Sequence, residues 1–192
     1  MKQPDCFVIA HDTSRVVVDC IASLKLHSWS FTVVPAVDGW KITQEDWDNI
    51  GIKMSDQGKM PHRPGAQGCW HSHFKLWKQS MDTNSSMVIL EHDAVVKDPW
   101  PEDLNIEPSI IKLYTAAHCK VNPITGSWSK GGHAYTLTPE QANKLIAHAK
   151  IVGAVAADKQ IGSKACSWNF YQKDLVQLNP NRGRSTTSAK RL

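Results

Sequence analysis

Two carboxylates one residue apart, Glu91 and Asp93, close the apolar run Met87-Val-Ile-Leu90. A continuous apolar run predicts a buried central strand, and ligands of open α/β sheets bind beyond the carboxyl ends of the strands. Residues i and i+2 leave a strand on the same side. Glu91 and Asp93 are therefore candidate oxygen ligands for a divalent cation held against a diphosphate, which the cation would neutralise as a leaving group. The same pattern also suits a solvated strand end that caps a loop, and the pair alone does not choose between them. The nine histidines form no clean metal pattern: His71 and His73, two apart, fall on different faces of any helix. A zinc hydrolase is excluded on that ground.

The elements that must position this pair follow from apolar spacing. Cys6–Ala10 reads as a buried strand, Ser14–Leu26 as a helix with Thr13 or Ser14 as N-cap, and Phe31–Pro35 as a second strand. That is a βαβ unit. From Asp38-Gly39-Trp40 to about Gly65 the sequence is polar and holds two prolines, which predicts a long irregular surface excursion. A helix fits Gln67–Gln79, where Trp70, His73, Phe74 and Trp77 share a face; for His73 that spacing is also what a packed core face shows. Ser80–Ser86 breaks it. Ile110–Tyr114 and His133–Leu137 are further strands, separated by a loop over 122–127. Pro139–Lys150 is a helix capped by Thr138, and a last strand is expected within Phe170–Leu178.

Composition narrows the class. A chain of 192 residues with 41% hydrophobic and 21% charged residues folds as one domain. No apolar run reaches the roughly 18 residues a membrane span needs, and the N-terminus lacks a signal-peptide core, so a cytoplasmic protein is expected. The five cysteines are scattered with no CxxC pair, which argues against a disulfide framework or a structural zinc site and reads them as small buried residues. Four of the 22 basic residues lie in 179–192, which has no acidic ones, and the rest equal the 18 acidic residues. The expected organisation is a domain over 1–178 and a basic tail over 179–192. Attraction for a polyanion would come from the tail.

Several ordered segments carry a resemblance. Gly65-Ala-Gln-Gly68-Cys69-Trp-His-Ser72-His73, Val88-Ile-Leu-Glu91-His92-Asp93, Gly132-His-Ala-Tyr135 and Ala157-Asp158, with Arg15, Asp38-Gly39 and Ser185 to Ser188, resemble in order and spacing the blocks of glycosyltransferase family 25, the lipooligosaccharide and collagen galactosyltransferase family. His92 stands where the family usually has Asp. The resemblance implies a single-domain glycosyltransferase A-type, Rossmann-like α/β fold and inverting transfer of a sugar, hexosyl or pentosyl, from a nucleotide-diphosphate donor, UDP-linked. It implies a Mn2+ or Mg2+ ion on Asp93 and Glu91, with Asp158 as catalytic base. Arg15, Asp38, Gly39, Gly68, Ser72, His73, Glu91 and Tyr135 would bind substrate. A compact phage-type member would act on a modified base in DNA in the host cytoplasm, which the basic tail and eight tryptophans suit. The alternatives are a saccharide acceptor in cell-surface glycan assembly, or an inactive nucleotide-sugar-binding protein.

Overall fold

The computed structural model of the protein describes residues 3–55, 60–107, 109–114, 120–121, 128–129 and 131–182. The expected loop over 122–127 and the Ser185 to Ser188 segment lie outside them. The chain opens with β1 (Asp5–Ala10), α1 (Val17–Leu26) and β2 (Thr32–Pro35), and β1 and β2 pair in parallel with Phe7 beside Thr32. This is the expected βαβ unit, but α1 begins three residues late. Neither Thr13 nor Ser14 caps it; Val16 holds the N-cap position without a side-chain bond. The reason is local competition. His11 Nδ1 lies 2.8 Å from Thr13 Oγ1, and the Ser14 N–H donates to the His11 carbonyl at 2.9 Å, so residues 11–14 form a turn instead.

The excursion after β2 is less irregular than its composition predicts, since it contains α2 (Gln44–Ile50) and a short 3-10 turn, Met60–His62. Thr43 and Asp46 make a reciprocal capping box, Gly51 ends the helix at φ 65°, and Trp47, 1% exposed, drops into the core. The next helix, α3 (Pro64–Thr83), outruns its predicted span at both ends. Pro64 suits its first turn, Asn84 stops it in the left-handed region at φ 48°, and the Ser80 hydroxyl donates to the Ser85 carbonyl just beyond.

Then follow β3 (Met87–Glu91), β4 (Ala94–Val96), β5 (Ile110–Lys112), β6 (Lys120–Val121), β7 (Trp128–Ser129), β8 (Ala134–Leu137), α4 (Pro139–Val152), α5 (Ala157–Ile161), β9 (Trp168–Phe170) and β10 (Val176–Leu178). Thr138 caps α4 as expected, in a box with Gln141. The single late strand expected over 170–178 is two strands in different sheets.

Six strands form the central sheet in the order β2-β1-β3-β8-β5-β9, with β8 alone antiparallel to its neighbours. The mixed, mostly parallel α/β architecture is therefore present. Strand alternation splits the core into two layers. Ile9, Met87, Ile89, Tyr135 and Leu137 pack with Trp70, Trp77 and Leu145 of α3 and α4, whereas Cys6, Val8, Val88 and Leu90 pack with Cys20 and Leu24 of α1. A small second sheet pairs β4 with β10, Leu178 beside Ala94. No helix among the described residues is long and apolar enough to cross a membrane.

Candidate active site

Along β3, Met87 and Ile89 face α3, and Glu91 is the next residue in that row. Its carboxylate emerges where α3 presents Cys69 and His73, one helical turn apart on one face. His73 Nε2 lies 3.2 Å from Glu91 Oε1, and the Cys69 thiol donates to the same oxygen at 3.8 Å. On the other side of the ring, His73 Nδ1 is 2.8 Å from the Tyr135 hydroxyl, which accepts from the Trp77 indole N–H at 2.8 Å. An indole can only donate, so with a neutral His73 ring the Tyr135 O–H donates to Nδ1 and the ring N–H lies on Nε2, donating to Glu91, whereas a charged ring donates to both partners.

The charges follow this wiring. The surrounding protein by itself would raise the Glu91 carboxyl, but the hydrogen bond and charge of His73, then His133 and His92, hold it below the usual carboxylate range. For Asp93, burial first and the Glu91 charge second push the carboxyl up to about 6, against the opposing pull of His92 and Arg182. Burial, followed by the charges of Glu91, Asp158 and Asp93, raises the Cys69 thiol well above its ordinary value. Three carboxylates thus converge on one small volume.

Asp93 is not on the strand. The chain turns at His92-Asp93 before β4, so the pair does not leave β3 side by side as its spacing predicts. Asp93 Oδ1 is buried without a hydrogen-bond partner, and Oδ2 lies 3.7 Å from Arg182 Nη1. The Asp93 carbonyl accepts from the Asn179 N–H at 2.7 Å, while the Asn179 amide donates to Asp19 Oδ2 on α1 at 2.7 Å. Residues just after β10 therefore clasp the acidic turn. Asp158 lies in the first turn of α5, half-buried, and accepts from the Lys159 N–H at 2.9 Å. A side chain placed at Gly132 would sit 3.6 Å from both Asp158 Cβ and Glu91 Oε1, so this glycine stands between the two carboxylates.

Gly68 and Ser72 hold a different part of the site. The Ser72 hydroxyl donates to the Gly68 carbonyl at 2.7 Å and accepts the Val37 N–H at 2.8 Å, which pins the loop after β2 against α3. A Cβ at Gly39 would collide with the Pro64 carbonyl, and one at Gly68 would come within 2.7 Å of Gly39 N. Only two glycines let these backbones meet. Within the pinned loop, Asp38 Oδ1 accepts the Trp40 N–H at 3.0 Å and Oδ2 pairs with Lys41 at 3.8 Å.

The structure thus brings His73, Glu91, Tyr135 and Asp158 to one locus and sets Asp38, Gly39, Gly68 and Ser72 at another. Tyr135 is fully buried and reaches the locus through His73. Arg15 is exposed in the turn before α1. Cys69, read from sequence as a small buried residue, stands at the centre; its i, i+4 spacing with His73 was the available signal. Asn179 and Arg182 carried none. Of the tryptophans, Trp29 is buried edge-on against Trp100 with ring centroids 5.2 Å apart, whereas Trp40 is 48% exposed.

The profile of Glycosyltransferase family 25 (LPS biosynthesis protein) matches residues 18–122, more than half of the chain. Among solved structures, the glycosyltransferase GlyE of Streptococcus pneumoniae TIGR4 is similar at 11% identity and a TM-score of 0.46, over 90% of this chain and 46% of that one. The chain thus spans about half the length of that structure. No curated protein is matched by the chain.

Proposed function

The chain belongs to glycosyltransferase family 25, and on that premise we propose that it transfers a sugar from a nucleotide-diphosphate donor, UDP-linked, to an acceptor hydroxyl with inversion, in a cytoplasm. One observation carries the reading most directly. Asp93 Oδ1, at the carboxyl edge of the sheet where nucleotides bind in such folds, is buried and unpaired beside a second carboxylate. A buried carboxylate oxygen without a partner is costly, and a divalent cation would satisfy it. Asp93 fits that role, with Glu91 contributing the oxygen that Cys69 and His73 leave available. When bound, Mn2+ or Mg2+ would offset the negative charge that develops on the leaving diphosphate.

The remaining work falls to side chains of the chain itself. His73 keeps Glu91 ionised, and Tyr135 fixes the tautomer in which it can do so. Asp158, across Gly132 from Glu91, removes the acceptor proton. The loop holding Asp38 and Gly39, pinned by Gly68 and Ser72 with Arg15 nearby in sequence to the end of β1, receives the donor. For the acceptor we favour a modified base in DNA, supported by the basic excess of 179–192 and by the exposed indole of Trp40.

Asp93→Ala is expected to abolish release of UDP from UDP-sugars in the presence of Mn2+ or Mg2+ while the thermal melt stays cooperative. Undiminished turnover in that variant overturns the cation assignment, and absence of any nucleotide-sugar turnover by the unmutated chain favours an inactive binding protein. Asp158→Asn should lose turnover with donor affinity retained, because a base acts in the chemical step. Loss of donor affinity would make Asp158 a ligand instead.

A further inference from the structure

We propose that Cys69, His73 and Glu91 form a zinc site with three protein ligands and one open position. The three ligand atoms already lie within 4.8 Å of one another, and the cluster is the one of this kind among the described residues. In a tetrahedral site with zinc–nitrogen and zinc–oxygen bonds near 2.0 Å and a zinc–sulfur bond near 2.3 Å, nitrogen and oxygen stand about 3.3 Å apart and sulfur and oxygen about 3.5 Å. The observed separations are 3.2 Å and 3.8 Å. These two separations need to change by only a few tenths of an ångström, and the sulfur–nitrogen pair, within 4.8 Å, must close toward about 3.5 Å.

The donor set selects the ion. One thiolate, one imidazole and one carboxylate suit zinc, whereas Mg2+ and Mn2+ prefer oxygen alone, so this ion is distinct from the one assigned to the diphosphate. The supporting groups are those a metal-binding imidazole requires. In the metal-bound form His73 takes the tautomer with its proton on Nδ1, which donates to the Tyr135 hydroxyl beside the Trp77 indole N–H, and Nε2 turns its lone pair to the ion. Two ligands come from the long helix α3 and the third from a central strand, so the frame is rigid. Asp158 and Asp93 add negative charge facing Cys69, and Glu91, with 31% of its side chain exposed, gives an ion a way in. Binding would release the Cys69 proton and leave the fourth position to water or a substrate oxygen. Without a metal, the same 3.8 Å approach is a thiol donating to a carboxylate, and the experiment separates the two.

The full chain, stripped with a chelator, is titrated with Zn2+ and separately with Co2+, in the absence of any nucleotide sugar. One equivalent of zinc and a thiolate-to-cobalt charge-transfer absorption are expected. Cys69→Ser and His73→Gln should lose the site, Tyr135→Phe should weaken zinc binding roughly 10–100-fold, and Cys166→Ser should change nothing. The cobalt spectrum of the unmutated chain tests thiolate ligation without relying on any variant to fold. No retained zinc, zinc bound without a thiolate band, or undiminished binding in a folded Cys69→Ser protein each overturns the proposal. Because the readout involves no sugar, its failure leaves the transfer reading standing, and failure of transfer leaves the zinc result standing.

Discussion

His71 and His73 stand two residues apart on one helix and meet opposite surroundings. His73 has a partner on each nitrogen, but His71 is wedged edge-on against Trp47 at 4.3 Å between ring centroids, with Nε2 buried and unpaired. Burial pulls its pKa down from 6.5 to about 4, although Asp46 opposes the shift. The unfolded chain therefore takes up this proton first as pH falls. His71 should cost the fold stability progressively between pH 6.5 and 4, by at most about 3 kcal/mol. Urea unfolding of the wild type and of His71→Gln across that range checks it: the difference between the two curves should open as pH drops, and a constant difference would refute the assignment. His92 sits half-buried in the turn, so His92→Asp should keep activity and sharpen dependence on the metal. A folded but inactive His92→Asp enzyme would reveal a role for the imidazole itself.

At the scale of elements, α3 does two jobs from adjacent faces. Gly68 and Ser72 hold the loop after β2, and Cys69 and His73 meet Glu91, so one Gly-Cys-x-x-Ser-His segment joins both halves of the site. Gly68→Ala would force a methyl into the Val37–Gly39 backbone and should destabilise the protein by about 1–3 kcal/mol, read as a lower melting temperature. Thr43→Ala should cost about 1 kcal/mol by opening the cap of α2. The strands β1, β2, β3, β5 and β8 and the helix α4 are legible in the sequence because apolar runs and the Thr138-Pro139 start are local signals, whereas β9 and β10 read as one strand. The α2 helix is hidden by its polar surface, although Thr43-x-x-Asp46 and the buried Trp47 mark it on inspection. The acidic motif is half legible: Glu91 ends its strand as the apolar run requires, but nothing local reveals that the chain turns at Asp93. Spacing rules for zinc look for cysteine pairs, so a ligand set divided between one helix face and a strand end escapes them.

The whole molecule carries its excess positive charge in one stretch, and the structure divides that stretch. Arg182 lies at Asp93, inside the candidate site, so a truncation after Leu178 would remove a partner of the acidic turn along with the charge. Replacing Arg184, Lys190 and Arg191 by Gln isolates the charge instead. If DNA is the acceptor, the wild type should bind it with a salt dependence whose slope falls by about 0.9 for each phosphate no longer neutralised, while transfer to a small hydroxylated nucleoside persists. Turnover on a saccharide with no salt-dependent DNA binding would refute the DNA reading.

The clasp between Asn179, Asp93 and Asp19 spans 160 residues of chain from Asp19 to Asn179. The last strand of the central sheet ends at Phe170 and the last buried residue of either core layer is Val176, so Asn179 follows all of them in the chain. A proteolytic cut just after β10 would therefore leave the sheet and both core layers complete and free the acidic turn. A protein clipped there would keep its architecture and lack the finished pocket, so donor capture would fail well before the fold does.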